Sequence, residues 1–156
     1  MNRGFTFVEA LVYIALLALM IGGGIVAAFS IIDSSEKEKT KINAIADAEF
    51  LMRKIDWALN GVNAINSPAA GASGETLSVN KSGFPSNPIV IDLDLLSSRA
   101  KISRGGGPAV FLTGDRVKIE GLSFEHIADA PPKPAAIKAS FTANGKIFQM
   151  KKYLRK

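Results

Sequence analysis

The chain lacks cysteine altogether and contains a single histidine, His126, among its 156 residues. Without thiols it can form no disulfide, and one imidazole cannot build the common zinc sites made of Cys and His. A serine-type catalytic triad would have to use that same histidine. These absences argue against most metal and nucleophile chemistry. We therefore expect no metal site and no cofactor, and we predict that the protein is not an enzyme.

Acidic residues are scarce in the last third of the chain. Residues 33–98 contain six Lys and Arg against nine Asp and Glu, whereas residues 99–156 contain twelve against four. Five cations lie in the last eleven residues: Lys146, Lys151, Lys152, Arg155 and Lys156. This basic surface could contact DNA phosphates or anionic lipid. Solubility or contact with a neighbouring molecule is the simpler interpretation, because no aromatic interleaving and no recognised nucleic-acid motif accompany the lysines.

Most of the apolar content lies near the N terminus. Ala10 to Ile32 are 23 consecutive residues without a charge, and a helix of that length can cross the roughly 30 Å hydrocarbon core of a bilayer. Because Arg3 precedes it, the N terminus is predicted to be cytoplasmic and the rest exported. The segment could be a plain anchor, a functional helix, or a signal peptide cleaved after Val26-Ala27-Ala28. Its length exceeds the about 7 to 15 residues of a signal-peptide core, which weighs against cleavage there.

Glu9 is an unusual residue in this setting, because it stands between the apolar residues near the N terminus and the uncharged run. A carboxylate near the middle of a membrane costs about 2.5 to 3.5 kcal/mol on insertion scales. Neither a plain anchor nor a signal peptide requires it. The segment contains no cation, so a partner must come from another chain or from a newly formed amino terminus. Cleavage after Gly4 would supply such an amine.

The heptapeptide Arg3-Gly4-Phe5-Thr6-Phe7-Val8-Glu9 resembles the leader and processing site of the type IV pilins and pseudopilins. The resemblance implies that a prepilin peptidase cuts after Gly4 and then methylates the new N-terminal residue, Phe5. It also implies that Glu9 is the subunit-assembly carboxylate, which pairs with the N terminus of a neighbouring subunit.

The same resemblance implies the partners and the location of the protein. The partners would be the peptidase, other pilin or pseudopilin subunits, membrane lipid, and indirectly an inner-membrane platform protein and an assembly ATPase. The chain would cross the cytoplasmic membrane once and then enter a cell-surface or periplasmic filament. That filament would be a type IV pilus or a type II secretion-like filament.

The helix is predicted to continue past the membrane, because no proline precedes Pro68 and charges of both signs follow Ile32. Apolar residues at steps of three and four predict an amphipathic stripe: Ile42, Ile45, Ala48, Met52, Ile55, Leu59 and Val62. One helix is expected from Phe5 to about Asn60. Within it, three glycines lower the helix propensity by about 2 to 3 kcal/mol. Gly22, Gly23 and Gly24 are therefore predicted to form a hinge or a surface for close helix contact.

The region after Gly61 is predicted to begin with a loop over residues 66–74 and to continue as strands. The strand-like segments are Thr76–Val79, Ile89–Leu95, Ala100–Ser103, Ala109–Thr113, Val117–Phe124, Ala136–Thr142 and Ile147–Leu154. Asn144-Gly145 predicts a tight type I′ hairpin that places Phe141 near Ile147.

The predicted fold class is α+β and pilin-like. A long N-terminal helix, with a transmembrane half and an amphipathic half, packs against a C-terminal antiparallel β-sheet. The expected organisation is a leader peptide (1–4), a transmembrane or filament-core segment (5–32), an amphipathic helical segment (33–62) and an exported β-rich domain (63–156). The layout resembles that of J/W-type minor pseudopilins and minor pilins.

Several other groups of residues are interpreted as structural features and not as functional sites. Asp92 and Asp94 share a strand face but lack the further oxygen ligands that calcium demands, so a solvated face is favoured. The Gly105–Gly107 run has no Lys-Ser/Thr pair and is predicted to be a turn. Trp57 is predicted to be a packing or rim residue. The alternatives to a filament subunit are a DNA-uptake or adhesion module displayed on such a filament, and an unprocessed single-pass protein.

Overall fold

The computed structural model describes residues 6–131 and 133–154. Gly4 and Phe5, the predicted processing site, lie outside the described residues, as do Arg155 and Lys156. The chain forms two compact units, Met1–Lys39 and Thr40–Lys156. Its single described α-helix, α1 (Phe7–Leu59), contributes residues to both units.

The two ends of α1 follow from local chemistry. At the start, the Thr6 hydroxyl accepts a hydrogen bond from the Glu9 backbone N–H at 3.3 Å, which is the arrangement of an N-cap. At the other end, Gly61 adopts a φ of 70°, a left-handed conformation that commonly terminates helices. The Lys81 ammonium also donates to the carbonyl oxygen of Trp57 at 2.9 Å. The predicted helix from Phe5 to about Asn60 is thus confirmed over the described residues.

The described residues of the first unit lie almost entirely in α1, which is apolar up to Ile32 and becomes charged from Asp33. Every described residue from 6 to 39 is exposed within the chain, including the large side chains of Leu11, Leu19, Met20 and Phe29. An 18-residue window in α1 has a mean hydropathy of 2.4, so the helix is long and apolar enough to cross a membrane. The large apolar side chains of this segment therefore stay exposed within the described part of the chain.

The second unit contains the end of α1 and nine described strands in two antiparallel sheets. The strands are β1 (Val62–Ser67), β2 (Ser73–Gly74), β3 (Leu77–Lys81), β4 (Ile89–Asp94), β5 (Arg99–Arg104), β6 (Val110–Phe111), β7 (Ile119–Ile127), β8 (Ala136–Ala143) and β9 (Lys146–Tyr153). One sheet has the order β1-β3-β4-β5-β6 and the other β2-β7-β8-β9. The predicted α+β, pilin-like architecture is confirmed, with two sheets instead of one.

The helix face that contacts the sheets differs from the predicted stripe. The buried residues are Ala44, Ala48, Leu51, Ile55, Ala58 and Leu59. Ile42 and Ile45 were expected in this stripe but lie exposed, with 64% and 37% of their surface accessible. Three of these six residues are alanines, and they belong to the same buried core as residues of both sheets. Val62, the last predicted member, begins β1 instead of continuing the helix.

Two polar contacts also connect α1 to the strand region, one to the segment between β6 and β7 and one to β9. The Asp47 carboxylate accepts a hydrogen bond from the Gly114 backbone N–H at 2.7 Å. The Asp56 carboxylate pairs with the Lys152 ammonium of β9 at 2.7 Å. Asp47 and Asp56 are both half-buried, so their carboxylates contact the second unit at the margin of its core.

All seven predicted strand segments coincide with strands β3 to β9, whereas β1 and β2 were missed. β1 and β2 fall within or beside the Asn- and Gly-rich stretch that was interpreted as a loop. β1 pairs with β3 through a ladder with two irregularities, so its sequence carries no regular alternation. The prediction was also wrong for Leu95, which follows β4 and is 76% exposed.

The β8–β9 hairpin forms at the predicted turn. Asn144 and Gly145 both have positive φ values, 47° and 80°, as a type I′ turn requires. The strand register differs from the expectation by one residue, because Phe141 pairs with Phe148 and their rings stack 5.5 Å apart. Ile147, the expected neighbour, lies opposite Thr142 and is 71% exposed.

Candidate assembly site on the N-terminal helix

The candidate site is the first turn of α1, where the only acidic residue of the apolar segment lies. Glu9 occupies that turn and is exposed. A carboxylate near a helix N terminus interacts favourably with the positive end of the helix dipole. One turn later, the Tyr13 hydroxyl donates to Glu9 Oε1 at 3.3 Å. The structure therefore presents the carboxylate on the helix surface, with one oxygen in contact with a tyrosine.

Two residues that contact this turn were not assigned a structural role from the sequence. Thr6 caps the helix, and Tyr13 contacts Glu9. A sequence signal existed for each. Thr6 and Glu9 fit the Ser/Thr-x-x-Glu pattern of a helix start, and Tyr13 follows Glu9 by four residues, which is the spacing of neighbours on one helix face.

Gly22, Gly23 and Gly24 are helical in the structure. A Cβ atom built at any of the three would meet nothing within 4 Å. Space within the chain therefore does not explain why glycine is used at these positions. The hinge and the helix-contact interpretations both concern an assembly of several chains.

Trp57 is partly buried and packs against the core, as predicted. Its ring meets Phe84 edge to face at a centroid distance of 5.6 Å. Three cations surround the same ring, with Lys81 Nζ at 4.5 Å, the Arg104 guanidinium at 5.4 Å and Lys54 Nζ at 5.8 Å. Trp57 therefore links α1 to the five-stranded sheet through these cation–π contacts. The hydrogen bond from Lys81 to the helix end adds to this link.

Asp92 and Asp94 are occupied by protein partners. The Lys101 ammonium lies 3.7 Å from Asp92 and 3.6 Å from Asp94. Ser97 donates to the Asp94 carboxylate from its hydroxyl at 2.6 Å and from its backbone N–H at 3.1 Å. The hydroxyl bond, followed by the backbone bond, holds the pKa of Asp94 below its ordinary value, with a smaller contribution from Lys101. Among the described residues, no group of three or more His, Cys, Asp or Glu side chains could hold a metal ion.

The glycine-rich turn and the single histidine also lie in surroundings that give each a structural role. Gly105 and Gly106 adopt φ values of 59° and 70° in the predicted turn after β5. The ring Nδ1 of His126 lies 2.9 Å from the carbonyl oxygen of Pro68.

Of the basic C-terminal residues, those that the structure describes, Lys146, Lys151 and Lys152, lie in β9, which is an edge strand of its sheet. Lys152 forms the ion pair with Asp56, whereas Lys146 and Lys151 lie over the rings of Phe148 and Tyr153 at 5.5 Å and 4.9 Å. Lysines on an edge strand discourage unwanted pairing with other strands. This is a structural reason for part of the basic excess.

The fold and the N-terminal helix together define the chain as a pilin-like α+β protein with an apolar anchor-type helix. Residues 1–25 match the model of the prokaryotic N-terminal methylation motif. The resemblance to the type IV pilin and pseudopilin family is thereby confirmed on the N-terminal segment that carries the motif. No curated protein and no solved structure matches the chain.

Proposed function

We propose that the chain is a structural subunit, a minor pilin or pseudopilin, of a type IV pilus or a type II secretion-like filament. One observation carries the proposal: the methylation motif, matched over residues 1–25, includes the start of a membrane-length helix whose only acidic residue before Asp33 is Glu9. The motif is a processing signal, and the roles of the pilin family are structural. The chain is accordingly proposed to be a component of an assembly and not a catalyst.

In this proposal the prepilin peptidase removes the leader, residues 1–4, by cutting after Gly4. It then methylates Phe5, the first residue of the mature chain. Residues 5–32 lie in the membrane before assembly and in the filament core afterwards, with the N terminus cytoplasmic. Residues 33–62 include the amphipathic part of the helix, and residues 63–156 form the exported β-rich domain.

The physical basis is that an apolar helix needs an apolar environment at every stage. The exposed apolar side chains of α1 up to Ile32 are buried by lipid in the membrane. In a filament the same surface is buried against the helices of neighbouring subunits, where packing and polar contacts between helices set the geometry. The platform protein and the assembly ATPase would move the subunit from one environment to the other.

Glu9 sets the axial stagger between neighbouring subunits when the chain moves from the membrane into the filament. In the apolar core its carboxylate requires a cation, because an unpaired buried charge is strongly unfavourable. The N-terminal amine of a neighbouring mature subunit provides that cation. Only a neighbour at the correct height brings its amine to the carboxylate, so the pair selects one stagger between subunits.

The experiment compares Glu9→Ala with a matched control, Glu49→Ala, in the full chain. Glu49 is on the same helix, is exposed, and pairs only with Arg53 at 3.6 Å across one helical turn. Glu9→Ala is expected to insert into the membrane normally but to be depleted from sheared filaments, whereas Glu49→Ala is incorporated like the wild type. Equal incorporation of both variants would contradict the assignment.

A companion variant tests the processing step. Gly4→Ser, or a bulkier change, is expected to block cleavage and leave a precursor that keeps its four leader residues. Normal cleavage of a bulky variant would argue against prepilin peptidase as the processing enzyme.

A DNA-uptake or adhesion module on such a filament is the second candidate. It is favoured by the excess of twelve Lys and Arg over four Asp and Glu in residues 99–156. The exposed cations Lys146 and Lys151 lie along the edge strand β9. Binding of DNA at low salt, with a steep loss of affinity as salt rises, is the expected result for this candidate. Absence of binding at low salt would remove it.

A further inference from the structure

The apolar helix contains two polar side chains that form a pair. Between Phe7 and Phe29, every residue except Glu9 and Tyr13 is apolar or glycine. These two residues are four apart and in contact, with the Tyr13 hydroxyl donating to Glu9 Oε1. The two polar side chains of the segment therefore lie together at one place on its surface.

The direction of the contact follows from helix geometry. Side chains on an α-helix tilt toward its N terminus, so a long side chain covers the turn before its own Cα atom. The Tyr13 hydroxyl is therefore directed at the turn that holds Glu9. The distance of 3.3 Å is longer than the usual O–H···O separation of about 2.7 to 2.8 Å. Since both side chains are exposed, a small rotation of either can shorten it.

Both groups need a hydrogen-bond partner once water is removed. A buried hydroxyl or carboxylate without one is unfavourable. The pair partly satisfies both within a single helix. A carboxylate has about four acceptor positions on its two oxygens, so the bond to Oε1 leaves Oε2 to accept from a second donor.

We propose that Tyr13 is a positioning residue for Glu9 in subunit assembly. It fixes the carboxylate on one face of the helix through Oε1 and leaves Oε2 directed at the N-terminal amine of a neighbouring subunit. This inference rests on the proposed role of Glu9 in the filament. It adds that Tyr13, one helical turn after Glu9, determines the direction in which the Glu9 carboxylate points.

The test uses Tyr13→Phe in the full chain, which keeps the ring and removes only the hydroxyl. The variant is co-expressed with a wild-type copy so that incorporation into filaments is graded and not all-or-none. Cleavage after Gly4 and membrane insertion are expected to be unchanged. Incorporation is expected to fall about three- to tenfold relative to wild type, the equivalent of one hydrogen bond. Phe29→Leu, a change of another aromatic residue in the same apolar run, serves as the control and is expected to incorporate normally.

A second comparison distinguishes positioning from a purely structural role. In a Glu9→Ala background, Tyr13→Phe is expected to cause no further loss, because Tyr13 acts through the carboxylate. The same loss in both backgrounds would overturn the inference, as would wild-type incorporation of Tyr13→Phe alone. If Glu9→Ala itself incorporates normally, the proposed assembly role of Glu9 fails and the inference fails with it. If Glu9→Ala is depleted while Tyr13→Phe is not, only the inference fails.

Discussion

At the scale of single residues, Asp94 shows how one carboxylate fixes the end of a strand. It accepts two hydrogen bonds from Ser97 and lies 3.6 Å from the Lys101 ammonium. These contacts favour the charged form and lower the pKa of Asp94 in the folded chain. The β4–β5 turn is therefore coupled to pH.

The coupling predicts the sign of a pH effect. A carboxyl group with a lower pKa in the folded chain stabilises the fold above its unfolded pKa, and this contribution is lost as the pH falls through the folded pKa. Asp94→Asn should therefore lower the free energy of unfolding at pH 7, and the difference from wild type should shrink below about pH 4. Denaturant titrations across this range measure it, and a difference that is independent of pH would contradict the account.

The helix core provides a second prediction at this scale. Leu51 is fully buried, whereas Ile42 is 64% exposed. Leu51→Ala is expected to destabilise the chain by about 2 to 5 kcal/mol through lost burial and a cavity. Ile42→Ala, the matched control, is expected to stay within about 0.5 kcal/mol of wild type. Urea titration in detergent, followed by the fluorescence of the single tryptophan, Trp57, measures both, and equal losses would contradict the observed helix face.

Residue size explains why the sequence predicted this face only in part. The periodicity identified Ala48, Ile55 and Leu59 correctly because burial repeats with the helical turn. It assigned Ile42 to the core because Ile42 is large and apolar. Ala44 is buried in its place, and an alanine carries too weak a hydrophobic signal to be preferred over a nearby isoleucine. Which of the two residues is buried depends on how α1 packs against the sheets, which is a tertiary effect.

At the scale of elements, the N-terminal part of α1 has an exposed apolar surface, and the C-terminal part packs on the sheets. The three glycines lie in the apolar N-terminal part. Because nothing lies within 4 Å of a Cβ built at Gly22, Gly23 or Gly24, alanine fits there within the chain. It would raise the helix propensity by about 2 to 3 kcal/mol in total.

The proposed hinge predicts what happens when these glycines are replaced. Changing Gly22, Gly23 and Gly24 to alanine is expected to preserve membrane insertion but to reduce filament formation, because the segment can no longer loosen. Electron cryomicroscopy of wild-type filaments provides the structural measurement. Missing helical hydrogen bonds at these residues are expected, and an unbroken helical ladder there would contradict the hinge.

The sheets show which elements can be predicted from sequence. β4, β5, β8 and β9 were found because they carry regular alternation or flank an Asn-Gly turn. β1 was missed because its ladder is irregular and none of its residues is fully buried. Its pairing is set by its position beside β3 and not by its own composition. The division into two sheets likewise depends on pairings between distant segments, which no local pattern encodes.

At the scale of the whole molecule, the chain contains an apolar helical segment and a unit in which the end of α1 shares one core with two sheets. The N-terminal motif could be identified from the sequence because its residue types and spacing are specific: Gly4 before Phe5, and Glu9 four residues later. The contact from Tyr13 to Glu9 followed from the same spacing but became evident only with the side chains in place. The partners of the helix surface belong to other molecules, so the fold of one chain defines the surface and not its neighbours.

The most direct test of the central claim is the mass and N-terminal sequence of the protein isolated from the membranes or filaments of its own cells. The account predicts a chain that begins with N-methylated Phe5 and lacks Met1 through Gly4. A chain that still begins at Met1, or one that begins at Phe29 after signal-peptide cleavage, would contradict it.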